Sequence, residues 1–127
     1  MRRKALVTAV ALLALAGGVR SATDELDTDL MHAIEDSNKS LASNIATQQA
    51  KGAGNDAKEL TEMFAQVESF YVNKGDAPDA VQLAKKSREL SAQIQQLVGS
   101  SDFGAATDAA TTLSRTCKTC HNFYKKS

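Results

Sequence analysis

Near the C-terminus two thiols and an imidazole stand within five residues, Cys117-Lys118-Thr119-Cys120-His121, and these are the only cysteines in the chain. On a helix, positions three apart share a face, so both thiols present together with the imidazole beside them. Three chemistries use such a set. A C-x-x-C pair can cycle between dithiol and disulfide. Thiolates and imidazoles also bind zinc, and His32 would be available here as a fourth donor. The third is covalent haem attachment, for which C-x-x-C-H is the motif. There each thiol adds across one vinyl group of the porphyrin to give a thioether, and the adjacent imidazole ligates the iron from the proximal side. No thioredoxin-like strand pattern surrounds the cysteines, and a helical chain of this length needs no zinc staple. One covalent haem c, held by Cys117 and Cys120 with His121 as axial ligand, is therefore the expectation, with the thiol and zinc readings as rivals.

The elements that must position this set read as four helices. Gly-rich or Pro-containing clusters at residues 50–55, 73–78 and 99–102 divide the chain into pieces of helical length. Each piece carries apolar or small residues alternately three and four apart, the period of one helix face. The first stripe is Met31, Ile34, Asn38, Leu41 and Ile45, with Leu30 beside it. The second is Leu60, Met63, Phe64, Val67, Phe70 and Tyr71. The third is Ala80, Leu83, Ser87, Leu90, Ile94 and Leu97. The fourth is Ala106, Ala110, Leu113, Cys117, Cys120, His121 and Tyr124. No segment alternates with period two, so no sheet is expected. Four helices joined by short connections predict an all-α fold, an antiparallel up-down-up-down bundle. After Leu113 the inward face of the last helix holds Cys, Cys and His where large aliphatics belong, and a small domain can scarcely leave that layer unfilled.

The start of the chain reads as a leader. Met1-Arg2-Arg3-Lys4 is followed by an apolar run from Ala5 to Ala16 and then by small residues, the layout of a secretory signal peptide. About a dozen apolar residues fall short of the roughly 20 needed to span a bilayer. Cleavage is expected after Ser21, with Ala22 as the alternative, giving a signal peptide at 1–21 and one domain at 22–127. Export agrees with the motif, since covalent haem attachment takes place outside the cytoplasm. The full chain carries 15 basic and 15 acidic side chains. Arg2, Arg3, Lys4 and Arg20 leave with residues 1–21, which contain no acid, so the remainder is acidic by about four charges. It has no basic stripe of the sort that nucleic acid requires.

The run Cys117-Lys118-Thr119-Cys120-His121-Asn122-Phe123-Tyr124-Lys125, near the end of an all-helical exported chain, resembles the class II c-type cytochromes. These comprise cytochrome c' and its low-spin relatives of the c-556 type. Tyr124 and Lys125 fill the aromatic and basic places that follow the motif His in that family, where Arg is the usual choice for the second. Length and an early Met also resemble cytochrome b562, whose haem is not covalently bound. In an antiparallel bundle Met31 shares a layer with His121. The low-spin members place Met there, whereas five-coordinate cytochromes c' have a blocking apolar residue. Met31 is thus the expected distal iron ligand, with a flexible core filler as the alternative. His32 shares a face with Glu35, Asp36 and Lys39 and should point to solvent, and Met63 reads as core. Val67, Phe70, Tyr71, Val81 and Leu83 are expected around the haem edge, and Arg115, Lys118 and Lys125 as partners of its propionates.

With both axial positions filled, the expectation is a periplasmic electron carrier exchanging electrons with redox partner proteins. It would be no enzyme, would bind no nucleic acid, and would keep no membrane attachment after cleavage of the leader. The alternative is a five-coordinate, cytochrome c'-like protein that binds nitric oxide or carbon monoxide. Family members often dimerise through the first two helices. Here Lys39, Ser43 and Gln48 make that outer face polar, so a monomer and a homodimer both stay open.

Overall fold

The computed structural model describes residues 26–124, and the regular structure among them is entirely helical: α1 Thr28–Ala46, α2 Ala50–Lys74, α3 Pro78–Gly99 and α4 Phe103–Tyr124. The expected signal peptide, residues 1–21, lies outside the described residues. Among those described, no helix is long and apolar enough to cross a membrane.

Local chemistry sets most of the helix ends. The Asp27 carboxylate accepts from the Asp29 N–H at 2.9 Å, and the Asp102 carboxylate from the Ala105 N–H at 3.1 Å, so orphan amides at the starts of α1 and α4 are satisfied. Pro78 opens α3, where its missing N–H removes nothing. Gly75 ends α2 in the left-handed region at φ 78°, with its N–H on the Tyr71 carbonyl. These two breaks, at residues 73–78 and 99–102, fall where glycine and proline predict them.

The first break does not. The chain turns at residues 47–49, and Gly52, Ala53, Gly54 and Asn55 already belong to α2. The turn uses Gln48 in the left-handed region at φ 55°, with the Gln49 N–H on the Asn44 carbonyl at 2.8 Å. Gln carries no sequence signal for that conformation. Gly52 serves a different purpose, close approach. A Cβ on Gly52 would come within 2.8 Å of the Asn44 amide nitrogen.

Each helix packs on the next in sequence, and α4 packs back on α1; α2 with α3 is the most extensive pairing and α1 with α4 the sparsest of these four. Leu41, Leu60, Ile94, Leu113 and Val98 are completely buried. Each contributes on the order of 1.5–3 kcal/mol of apolar burial, as an upper bound. The buried line of α3 is Ala80, Ala84, Ser87, Ser91, Ile94 and Val98. Leu83, Leu90 and Leu97, expected on that line, flank it half-buried. Because α3 touches both α2 and α4, its central line must be narrow, and small side chains make it so.

Polar contacts join α1 to α2. Ser37 donates to Glu59 at 3.3 Å, Ser40 to Asp56 at 2.8 Å, and Asn44 to Asp56 at 2.7 Å. Between α2 and α3, Arg88 pairs with Glu68 at 2.7 Å in a partly exposed position.

These contacts separate two glycines in the same helix. Gly54→Ala meets only Val98 at ordinary contact distance, so it should stabilise the fold by about 1 kcal/mol through helix propensity. Gly52→Ala gains the same propensity but displaces Asn44 from Asp56, and should fall short of that gain. Denaturant unfolding of the two variants against wild type measures the difference.

Candidate functional site

The end of α4 carries the reactive set. Cys117 and Cys120 are free thiols, each half-buried, and the exposed His121 follows on the next position of the same helix. Their hydroxyl neighbours are occupied elsewhere: Thr116 donates to the Thr112 carbonyl at 2.9 Å and Thr119 to the Arg115 carbonyl at 3.0 Å.

The set faces a cleft of about 40 Å³ that takes in all four helices. Cys117, Cys120 and His121 line it from α4, and Met31 from α1. Ile34, Phe64, Val67, Leu83, Ala84 and Ser87 complete the wall. The structure thus brings together Cys117, Cys120, His121 and Met31, the four residues singled out in the sequence. Met31 is half-buried and packs against the hydrophobic core. His32, one residue on, is exposed and no part of the lining, and Met63 packs on the core elsewhere.

The expected wall is right in part. Val67 and Leu83 line the cleft, whereas Phe70, Tyr71 and Val81 do not. Tyr71 and Val81 line a separate, open surface hollow of about 330 Å³, together with Val72, Gly75, Ala77, Pro78 and Gln82. Phe70 and Tyr71 stack edge to face with ring centroids 5.0 Å apart. They lie a turn nearer the end of α2 than Val67, and so pass beyond the cleft. Ile34 and Phe64 take the places assigned to them, and both were visible as stripe positions. Ser87 was likewise a stripe position, whereas Ala84, on the same buried line of α3, is added by the packing alone. Arg115 and Lys118 are exposed, and Lys125 lies outside the described residues.

Burial also sets the protonation of the cysteines. The Cys117 thiol is pushed up to about 11, first by burial and then by neighbouring Cys120, with a backbone hydrogen bond pulling the other way. Cys120 is raised by burial as well. A thiol held neutral is a poor nucleophile for disulfide exchange. Among the described residues no three of His, Cys, Asp and Glu converge where a metal ion could sit. His32 lies outside the cleft, so it does not meet Cys117, Cys120 and His121 there as a fourth donor.

A haem fits the donor chemistry: two thiols one turn apart, an imidazole beside them, a thioether from another helix, and apolar walls. It does not fit the cleft as closed. Cofactor pockets run to roughly 300–1,000 Å³, so a haem would need the walls to part, and the α1–α4 contact is the sparsest of the four helix pairings.

The thiol shift has a measurable consequence. Folding favours neutral Cys117, so that contribution to stability is fully present below the ordinary thiol value of 9.0 and is lost as pH rises through about 11. In unmatured chain, wild type should lose stability between those values relative to Cys117→Ala. Unfolding free energies measured across pH 8–11 check it.

Comparison with protein-family models, curated proteins and solved structures finds no match to this chain.

Proposed function

We propose that this chain is an exported electron-transfer cytochrome, its single haem c joined to Cys117 and Cys120 and ligated by His121 and Met31. The observation that carries the reading is the meeting of Met31, near the start of α1, with Cys117, Cys120 and His121, near the end of α4, in one apolar cleft. The four helices would form an antiparallel up-down-up-down bundle. In support, Ser37 pairs with Glu59 and Ser40 with Asp56, so contacts move down α2 as they move up α1. Gly54 lies near Val98 while Glu68 meets Arg88, the same sense between α2 and α3. Connections of three residues also suit antiparallel neighbours.

Bound in the cleft, haem would supply a one-electron iron couple. The residues of the chain do the rest. Cys117 and Cys120 fix one edge of the macrocycle to α4. His121 and Met31 would both hold the iron and leave no open place for a substrate, which suits a carrier and not an enzyme. A thioether ligand favours a higher potential than a second imidazole. Ile34, Phe64, Val67 and Leu83 keep water from the iron, and the exposed His121 side is where electrons would pass.

The basic, apolar and small-residue layout of residues 1–22 supports export to the periplasm, where covalent attachment takes place. The acidic balance of the remaining chain suits redox partners with basic docking patches.

Visible absorption of the matured protein tests the proposal. Low-spin spectra in both oxidation states are expected, with the weak far-red band of sulfur on ferric iron, and Met31→Leu should abolish that band and admit carbon monoxide. High-spin wild-type spectra that shift with nitric oxide or carbon monoxide would replace the carrier with a gas-binding protein. Wild-type chain that takes up no haem would return Cys117, Cys120 and His121 to thiol or zinc chemistry.

A further inference from the structure

We infer that Ser87 sets the redox poise of the cleft by holding the one hydroxyl oxygen in its wall. The inference rests on the haem reading above and deepens it. Ser87 is 3 % exposed and lines the cleft with Met31, Cys117, Cys120 and His121. Its lining neighbours on the other helices, Ile34, Phe64 and Val67, and on its own, Leu83 and Ala84, are all apolar.

The hydroxyl is not idle. It donates to the Leu83 carbonyl at 2.8 Å, and with its proton committed there it has only oxygen lone pairs to offer the cleft. In a low-dielectric site such a fixed dipole acts far more strongly than in water. Ferric iron carries one more positive charge than ferrous iron. With haem in the cleft, those lone pairs would stabilise the oxidised state and hold the potential down. Outer groups of this kind are an established means of tuning metal centres.

One turn along α3 the fold supplies its own control. Ser91 is completely buried and donates to the Ser87 carbonyl at 2.8 Å, the same back-bond, but it forms no part of the cleft lining. Removing either hydroxyl therefore disturbs the helix alike, and only one removal alters what the iron would face.

The test is redox titration of matured full-length protein, with wild type, Ser87→Ala, Ser91→Ala and Ser87→Thr compared. Ser87→Ala should shift the potential to more positive values with unchanged low-spin spectra. Ser91→Ala should leave it at the wild-type value, as should Ser87→Thr, which keeps the oxygen. Equal potentials for Ser87→Ala and wild type overturn the inference. Equal shifts in the two alanine variants overturn it too, because they reduce it to a packing effect. A change in the axial-ligand bands of Ser87→Ala assigns Ser87 to holding a ligand and overturns the electrostatic role. Wild-type chain without haem overturns the cytochrome reading itself, and this inference with it.

Discussion

The close packing of α2 on α3 is the constraint from which the other features follow. Ala53, Ala57, Ala80, Ala84 and Ser91 are buried along the two helices, and none projects beyond a hydroxymethyl group. Small side chains let backbones approach and bring many dispersion contacts into range. They also leave little volume to fill the space on either side. Leu41, Leu60, Ile94, Val98 and Leu113 supply that volume through the middle of the molecule. Beyond Leu113 no comparable residue follows on α4, and Cys117, Cys120 and His121 stand in its place. The cleft is what remains when a narrow α2–α3 pair meets a helix end without large aliphatics.

The attachment of α1 differs in kind. Three buried side chains, Ile34, Leu41 and Ile45, anchor it, Leu30 and Met31 pack half-buried on the core, and Ser37, Ser40 and Asn44 hydrogen-bond across to α2. Such bonds contribute about 0.5–1.5 kcal/mol each when shielded and less where water competes. They define register more than they supply strength, because each requires one particular partner. Gly52 belongs to the same device: a side chain there would occupy the space that Asn44 needs to reach Asp56.

What the sequence made legible follows from this. Cys117, Cys120 and His121 were readable because their types are rare and their spacing matches a helix turn, whereas Met31 was readable only through the layer that a bundle would give it. Helix ends were readable where the backbone needs proline or glycine, as at Pro78 and Gly75. The first turn was not, because Gln48 adopts a left-handed conformation for which Gln has no preference, while Gly52 serves close packing inside α2. Periodicity identified the helical faces but could not find the centre of a face. On α3 it placed Ala80, Ser87 and Ile94 on the buried line but set Leu83, Leu90 and Leu97 beside them for their size, where the packing buries Ala84, Ser91 and Val98. Phe70 and Tyr71 share the α2 stripe but lie about one turn past Val67, beyond the cleft, and Val81 lies with Tyr71 on the separate hollow. A single helix cannot report how many partners it has.

The seam between α1 and α4 joins structure to the proposed function. It is the sparsest of the four helix contacts, and Met31 and His121 face the cleft from its two sides. A cofactor fixed to α4 through Cys117 and Cys120 and to α1 through Met31 would clasp the molecule where its own packing is thinnest. Its binding free energy would then count as folding free energy, since the unfolded chain presents no such pair of ligands. The closed cleft, too small for a macrocycle, and the weak seam are two aspects of one design on this reading. A site that opened readily without being clasped would lose water exclusion, and a seam packed as tightly as α2–α3 would never admit the group. Polar attachment of α1 satisfies both demands, because hydrogen bonds that water can replace let the helix move away and then return it to a single register.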